Sequence, residues 1–222
     1  MTTVVMFDFY GTLARAVEWG PPFEDVLARR GLVLPDVAEA RWADDGLDHG
    51  EHSVDRDAYV RWEHERLRRV ASACGAPDGD VEELVSDLYA ASKDYRLAAY
   101  DEVPDTLADL RRRGLAVAVC SNWDWDLDKA LADVGLEGLI DVAVTSAQAG
   151  ARKPHPRIYE TALARAGVPP AGALFVGDTW EPDVEGPRRA GMRAVQVWRP
   201  DQHEGPPPPG AIATLAEVGG LL

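Results

Sequence analysis

The sequence predicts an α/β fold: a doubly wound parallel sheet with an inserted all-helical cap domain. Short apolar runs rich in β-branched residues alternate with amphipathic stretches along most of the chain. That alternation is typical of a parallel sheet whose strands are joined by helices. One long segment directly after the first apolar run shows helical patterns only. A chain of 222 residues is long enough for one large domain, or for a domain with a smaller companion.

The first predicted strand, Thr3–Phe9, is apolar at nearly every position, as a strand buried on both faces should be. Four further runs of this kind are Ala116–Cys120, Val142–Thr145, Ala173–Val176 and Ala194–Trp198. The amphipathic stretches predict helices at Pro104–Arg113, Asp126–Val134, Pro156–Ala166 and Asp183–Ala190. Most of these stretches end at a glycine, the residue that helix C-caps prefer. A short apolar helix, Ile212–Leu222, is predicted at the end of the chain.

The segment between the first two predicted strands contains helix signals and no convincing strand. Its clearest helical face is formed by Val81, Leu84, Val85, Leu88 and Tyr89. We therefore assign residues 14–99 to a helical cap, and residues 1–13 together with 100–222 to the core that carries the chemistry.

The composition excludes two classes of partner. The chain has 23 basic and 38 acidic residues, so its formal net charge is −15. Nucleic acids and anionic membranes both require a basic face, and neither is expected as a partner. No apolar run approaches the roughly 20 residues that span a bilayer, and the N-terminus lacks the features of a signal peptide. We expect a cytoplasmic protein whose cysteines, Cys74 and Cys120, are buried thiols.

Polar residues stand at or shortly after the ends of four of the predicted strands. Because ligands of open α/β sheets bind outside the carboxyl ends of the strands, these residues are the candidates for a functional site. They are Asp8-Phe9-Tyr10-Gly11-Thr12-Leu13, Ser121-Asn122-Trp123-Asp124, Gly150-Ala151-Arg152-Lys153-Pro154 and Gly177-Asp178-Thr179-Trp180-Glu181-Pro182-Asp183. A single aspartate after a strand is usually a turn former or a helix cap, but four such strand ends together favour catalysis.

These four motifs, in this order and with a helical insertion between the first and the second, resemble the haloacid dehalogenase superfamily, which includes many phosphatases. The resemblance covers the whole chain. It implies a Rossmann-like core with an inserted helical cap, and a hydrolase that acts on a small anionic substrate.

The chemistry of the residues agrees with this resemblance. Asp8 is the predicted nucleophile, because a carboxylate can attack phosphorus or carbon and form a covalent aspartyl intermediate. Thr12 offers a hydroxyl in the same loop, while Ser121 and Asn122 supply hydrogen-bond donors for the transferring group. Lys153 is a fixed positive charge that can hold Asp8 ionised and neutralise a phosphoryl oxygen.

A metal ion is expected beside the nucleophile. Asp8, Asp178 and Asp183 would form a cluster of carboxylates that cannot all stay ionised without a compensating cation. Oxygen ligands with room for water suit Mg²⁺. The resemblance implies that the metal is held by Asp8, by the backbone carbonyl of Tyr10 and by the acidic motif, which here is Asp178 with or without Asp183. Asp183 also fits the N-cap of the helix that follows it.

One position departs from the pattern of the family's phosphatases. They usually carry a second aspartate two residues after the nucleophile as general acid and base, and this chain has Tyr10 there. The change removes a proton donor worth about 10²–10⁴ in rate. A motif with tyrosine at this position is similar to that of the family's 2-haloacid dehalogenases, whose leaving halide needs no proton. Tyr159 and Arg41 are weaker matches to the tyrosine and the halide-binding arginine of those enzymes, and Tyr159 fits a core position equally well.

The acidic pair Asp178 and Asp183 is stronger evidence about the function than Tyr10. A second buried acid requires a cation, while the tyrosine only removes a general acid that assists the reaction. We therefore predict an Mg²⁺-dependent phosphatase acting on a small phosphate monoester. A 2-haloacid dehalogenase with the same nucleophile is the alternative, and a non-catalytic module that binds a phosphorylated ligand is the third possibility.

Several other side chains have less specific interpretations. His49 and His52 are expected to be surface residues rather than metal ligands. Trp123, Trp125 and Trp180 fit the wall of a pocket and ordinary packing equally well. The sequence contains no indication of the oligomeric state.

Overall fold

The computed structural model of the protein describes residues 2–34 and 47–222. Its strands are β1 (Val4–Phe7), β2 (Ala14–Trp19), β3 (Tyr95–Ala99), β4 (Ala116–Ser121), β5 (Val142–Thr145), β6 (Ala173–Gly177) and β7 (Arg193–Gln196). Its α-helices are α1 (Phe23–Ala28), α2 (Arg56–Ala73), α3 (Val81–Lys93), α4 (Val103–Arg112), α5 (Leu127–Asp133), α6 (Ser146–Ala149), α7 (Pro156–Ala166) and α8 (Gly186–Arg189). The chain divides into two compact units, Met1–Arg15 with Leu97–Leu222, and Ala16–Arg96.

The first unit is built on a five-stranded sheet with the order β5-β4-β1-β6-β7. Every neighbouring pair is parallel, and Val4 of the central strand β1 lies opposite Ala116 on one side and Ala173 on the other. The predicted doubly wound parallel sheet is confirmed. The last strand ends at Gln196, two residues before the predicted end.

Helices cover both faces of this sheet. Alternate residues of β1 point to opposite sides, so its side chains belong to two separate cores. Val5 and Phe7 belong to a core that includes Leu107 of α4 and Leu131 of α5. Side chains on the other face of the sheet form a second core, which includes Val4, Met6, Ile158, Tyr159 and Leu163. Both faces of β1 are therefore buried away from solvent, and this explains its continuous apolar sequence.

Two terminal elements of the first unit differ from the predicted helices. The stretch Asp183–Ala190 begins as a π-helical turn, Glu181–Glu185, before α8. The tail forms a 3₁₀ helix at Leu215–Gly220 with a Thr214–Glu217 capping box, rather than a helix over 212–222. Ile212 is instead bridged to Val197, which extends the edge of the sheet.

The second unit packs α1, α2 and α3 around a small core that includes Leu27, Leu67 and Leu84. Asp55 caps α2, since its carboxylate accepts a hydrogen bond of 2.7 Å from the N–H of Ala58. The prediction of helices alone between 14 and 99 is wrong at both ends, because β2 and β3 pair in a two-stranded sheet. Most of β2 is exposed, so this strand shows no apolar pattern in the sequence.

The described residues bear on three further expectations. None of their helices is both long enough and apolar enough to cross a bilayer. Cys74 and Cys120 are both free thiols, as predicted, but only Cys120 is fully buried, because Cys74 follows the end of α2 and stays partly exposed. Arg41 lies outside the described residues.

Candidate active site

The predicted nucleophile lies at the end of the central strand of the sheet. Asp8 directly follows β1, and its N–H donates a hydrogen bond of 2.9 Å to the carbonyl of Val176 on the neighbouring strand β6. Its side chain is buried at the carboxyl edge of the sheet, the edge at which the loops after β4 and β6 also arrive. The topology thus brings the four polar motifs to one place, as expected for an open α/β sheet.

Lys153 is the buried cation of this site. Its ammonium Nζ lies 2.6 Å from Asp8 Oδ1 and 2.6 Å from Asp183 Oδ1, and the residue is only 4% exposed. Burial alone would lower the pKa of Lys153, but the carboxylates of Asp183 and Asp8 outweigh burial and raise it. The lysine is therefore a permanent positive charge, in contact with the predicted nucleophile Asp8.

The backbone of Lys153 is held by Asn122, in the loop after β4. Asn122 Oδ1 accepts a hydrogen bond of 2.6 Å from the N–H of Lys153, and its Nδ2 donates one of 3.1 Å to the carbonyl of the same residue. The amide therefore positions the cation as well as lying beside the predicted site of the transferring group. Ser121 is buried as the last residue of β4.

Three carboxylates meet beside Lys153. Asp8, Asp178 and Asp183 each offer an oxygen within 4.8 Å of the others, and all three are buried. Burial raises the pKa of Asp183 to about 7, against the lowering effect of Lys153. Burial, with the charge of Asp8, also raises the pKa of Asp178. The predicted acidic cluster therefore exists, and its ionised form is costly without more positive charge.

Hydroxyl and amide donors hold this acidic loop in place. Thr12 Oγ1 donates to Asp178 Oδ1 at 3.1 Å, and Thr179 Oγ1 donates to Asp178 Oδ2 at 3.2 Å. The N–H of Thr179 donates to Asp183 Oδ2 at 3.0 Å. Gln196, at the end of β7, donates to the carbonyl of Asp178 at 2.6 Å. The oxygens of Asp183 thus face nitrogen donors, while those of Asp178 face hydroxyls, which can rotate.

Two glycines are required by the close approach of these loops. Gly11 has φ +82°, and a Cβ there would lie 2.7 Å from Asp178 Oδ2. A Cβ on Gly177 would lie 2.4 Å from atoms of Asp183. The left-handed backbone of Gly11 also suits the tight turn of the first motif. Gly177 is explained only by the structure, because the carboxylate loop folds back over it.

The residues present fit a divalent cation. If all three carboxylates are ionised, they carry three negative charges against the single charge of Lys153. The donor atoms within reach of one another are all oxygens, which is the donor set that Mg²⁺ prefers. The excess negative charge of the carboxylates and the oxygen donor atoms therefore both favour a hard cation at Asp8 and Asp178.

Tyr10 and Tyr159 have distinct environments. The Tyr10 hydroxyl hydrogen-bonds to Gln202, and burial together with the charges of Asp178 and Asp201 raises its pKa. Tyr159 is fully buried on α7, where its hydroxyl donates to the carbonyl of Pro182 at 2.6 Å. Tyr159 therefore has the contacts of a core residue, the second of its two predicted interpretations.

The remaining candidates are spread over both units. His49 is buried and stacks on Trp62 of the helical unit, with ring centroids 5.1 Å apart, so the prediction of a surface residue is wrong. His49 is buried because it packs against the indole of Trp62, on which His52 also stacks. In the first unit, Trp123 packs edge-on against Phe9, while Trp180 is half exposed.

Two residues that contact the candidate site were missed by the sequence analysis: Gln196 and Arg199, both near the end of β7. Arg199 is buried and donates to the carbonyl of Thr12 at 2.7 Å. These residues could have been found from the sequence, because ligands bind outside the carboxyl ends of the strands and this holds for the fifth predicted strand as well as for the other four.

Comparison with known proteins matches residues 2–191 to the haloacid dehalogenase-like hydrolases. A phosphoserine phosphatase from Thermus thermophilus is 39% identical over 149 residues, which are 64% of this chain and 59% of that protein. The chain therefore spans less than two thirds of this relative. A phosphatase from Mycobacterium tuberculosis is 31% identical over 226 residues, covering 99% of this chain and 96% of the relative.

Solved structures share the fold. A predicted phosphoglycolate phosphatase from Haemophilus somnus superposes with a TM-score of 0.64 and 17% identity, covering 99% of this chain and 97% of that one. At this identity the likeness is one of fold alone. The family match extends over most of the sequence and includes all four site motifs. The chain belongs to the haloacid dehalogenase-like hydrolases.

Proposed function

We propose that the protein is an Mg²⁺-dependent phosphatase that hydrolyses a small phosphate monoester through an aspartyl-phosphate intermediate on Asp8. The observation that carries this proposal is the buried cluster of Asp8, Asp178 and Asp183 around Lys153. Two of the relatives described above are named phosphatases, which supports the same activity.

Asp8 and Asp178 are the side chains that would hold the metal, together with the carbonyl of Tyr10. Asp183 is the less suitable ligand, because both of its oxygens already accept hydrogen bonds from nitrogen donors. Its role is then to orient Lys153. When bound, Mg²⁺ supplies positive charge that the acidic cluster lacks and that an anionic phosphoryl group requires.

The chain's own residues account for the chemical steps. A carboxylate oxygen of Asp8 attacks phosphorus, and the bond from phosphorus to the ester oxygen breaks as the leaving group takes the bridging oxygen. Lys153 neutralises charge on the phosphoryl oxygens and on the nucleophile. Water then attacks the aspartyl-phosphate, which releases inorganic phosphate and restores the carboxylate.

Tyr10 limits the leaving groups that this site can handle well. With no carboxylic acid at that position, the departing oxygen must take its proton from water, so good leaving groups are preferred. The same tyrosine is the feature that favours the second candidate, hydrolytic dehalogenation of a short 2-halo acid, in which Asp8 forms an ester to carbon.

The unit Ala16–Arg96 corresponds to the helical cap of this family's architecture. The free thiols of both cysteines agree with a reducing compartment such as the cytoplasm.

Hydrolysis of p-nitrophenyl phosphate, measured with Mg²⁺ and with EDTA, tests the proposal. We expect activity that requires Mg²⁺ and that is lost in Asp8→Asn, while the matched surface variant Asp133→Asn retains it. Activity indifferent to chelation and to Asp8→Asn would overturn the proposal. Chloride release from 2-chloropropionate that persists in EDTA would establish the dehalogenase instead, and phosphate binding without turnover of any ester would establish a binding module.

A further inference from the structure

A buried arginine joins the nucleophile loop to the far edge of the sheet. Arg199 lies three residues beyond the end of β7 and is 4% exposed. The terminal nitrogen Nη1 donates to Glu102 Oε1 at 2.6 Å, and the terminal nitrogen Nη2 donates to the backbone carbonyl of Thr12 at 2.7 Å. The guanidinium lies over the ring of Tyr100, 3.8 Å from its centroid. Both terminal nitrogens and one face of the group are therefore engaged, while Nε is buried with no hydrogen-bond partner among the described residues.

The contact with Thr12 leads directly into the acidic cluster. While its carbonyl accepts from Arg199, the hydroxyl of Thr12 donates to Asp178 Oδ1 at 3.1 Å. A continuous path of hydrogen bonds thus runs from Glu102 through Arg199 and Thr12 to Asp178. Glu102 is itself anchored, since it also accepts from the N–H of Leu215 at 3.3 Å.

We propose that Arg199 is a positioning residue for the active site: by holding the carbonyl of Thr12, it keeps the hydroxyl of Thr12 directed at the carboxylate of Asp178. The inference rests on the proposed phosphatase function and deepens it. Within the described part of the chain, the side-chain hydrogen bonds of Arg199 go to Glu102 and Thr12 rather than to Asp8 or the acidic cluster. Its side chain therefore acts on turnover and on Mg²⁺ binding through Thr12.

The geometry requires an arginine. Two nitrogens of one planar group reach two different acceptors, a carboxylate and a carbonyl, while the face of that group stacks on an aromatic ring. A lysine at the same position offers one compact ammonium and no planar face. We therefore expect Arg199→Lys to retain only part of the positioning.

Turnover of p-nitrophenyl phosphate is the first measurement. We expect Arg199→Met to lower kcat by up to about 100-fold with little change in KM, because a small displacement of a catalytic loop is costly. The matched control is Arg193→Met at the other end of β7. Arg193 also donates to a backbone carbonyl, that of Leu221, but lies away from the site. Its variant should change kcat by less than about twofold.

A double-mutant cycle with Thr12→Val separates positioning from general stability. If Arg199 acts through Thr12, Arg199→Met will cost almost nothing more in kcat once the hydroxyl of Thr12 is gone. Losses that multiply in the double variant would overturn the inference. If Arg199→Met does not fold, Arg199→Lys is carried through the same cycle with the same two outcomes.

The Mg²⁺ concentration at half-saturation, followed by tryptophan fluorescence without substrate, distinguishes this inference from the proposed function. We expect it to rise severalfold in Arg199→Met and to be unchanged in Arg193→Met. If the parent protein hydrolyses no phosphate ester but the Mg²⁺ midpoints separate in this way, the phosphatase proposal fails and the positioning role stands. If the parent is active and the two arginine variants match in kcat and Mg²⁺ midpoint, the positioning role is refuted.

Discussion

Replacing Lys153 by methionine tests the electrostatic account of the site most directly. The substitution keeps much of the side-chain volume and removes an ammonium that contacts Asp8 and Asp183 at 2.6 Å each. Three buried carboxylates would then lie within 4.8 Å of one another with no compensating charge from Lys153. Removing one partner of a buried ion pair typically costs about 3–5 kcal/mol of folding free energy.

That loss should be visible as a large fall in the melting temperature. For a chain of this size, 1 kcal/mol corresponds to about 2–4 °C, so Lys153→Met should lower Tm by about 6–20 °C. The measurement is thermal unfolding followed by tryptophan fluorescence, in EDTA at pH 8. Adding Asp183→Asn should recover part of the loss, because it removes one of the uncompensated charges.

The control is Lys129→Met, which removes an exposed ammonium 2.5 Å from Asp133. A surface pair of this kind is worth less than about 1 kcal/mol. The defect of Lys153→Met should also shrink at pH 5, where buried carboxyls without a partner take up protons. If Lys153→Met were no less stable than Lys129→Met at pH 8, the interpretation of Lys153 as the compensating cation would be refuted.

The remaining predictions concern pH, leaving groups and thiol reactivity. Because the pKa of Asp183 is raised from 3.8 to about 7, the metal-free fold binds an extra proton in that window, and its stability should fall as pH rises through it. Urea titrations from pH 4 to 8 should show this slope in the parent protein and a flatter one in Asp183→Asn. Tyr10→Asp should raise kcat on alkyl phosphates by about 10–100-fold and change p-nitrophenyl phosphate hydrolysis far less, and equal effects on both esters would contradict the missing-acid argument. Iodoacetamide should label Cys74 well before Cys120, because burial raises the pKa of Cys120 to about 12, and mass spectrometry of the native protein checks the order.

Much of the sheet and its site could be predicted from the sequence because burial leaves a strong pattern. The segment Val4–Phe7 is apolar at every position since both of its faces are covered. The grouping of Asp8 and Asp178 follows from one geometric rule, that carboxyl ends of parallel strands meet at one edge. Residues at strand ends are therefore predictable even when they are far apart in the chain.

The parts that escaped prediction depend on tertiary contacts with no local pattern. Most of β2 is exposed, so its residues do not alternate between apolar and polar types. The burial of His49 comes from stacking on Trp62, a partner that spacing alone does not identify. Arg199 acts on a backbone carbonyl 187 positions away, and a carbonyl carries no sequence signature.

The central position of β1 also has a consequence for the order in which the protein is made. β1 and Asp8 leave the ribosome before the partners of β1, which begin at Ala116 and Ala173. At about 5–20 residues per second, the first partner strand follows only about 6–22 s later. Throughout that delay the nascent chain exposes an unpaired, wholly apolar strand, the kind of segment that pairs with other chains. We expect a fragment ending before β4 to aggregate or to be held by chaperones.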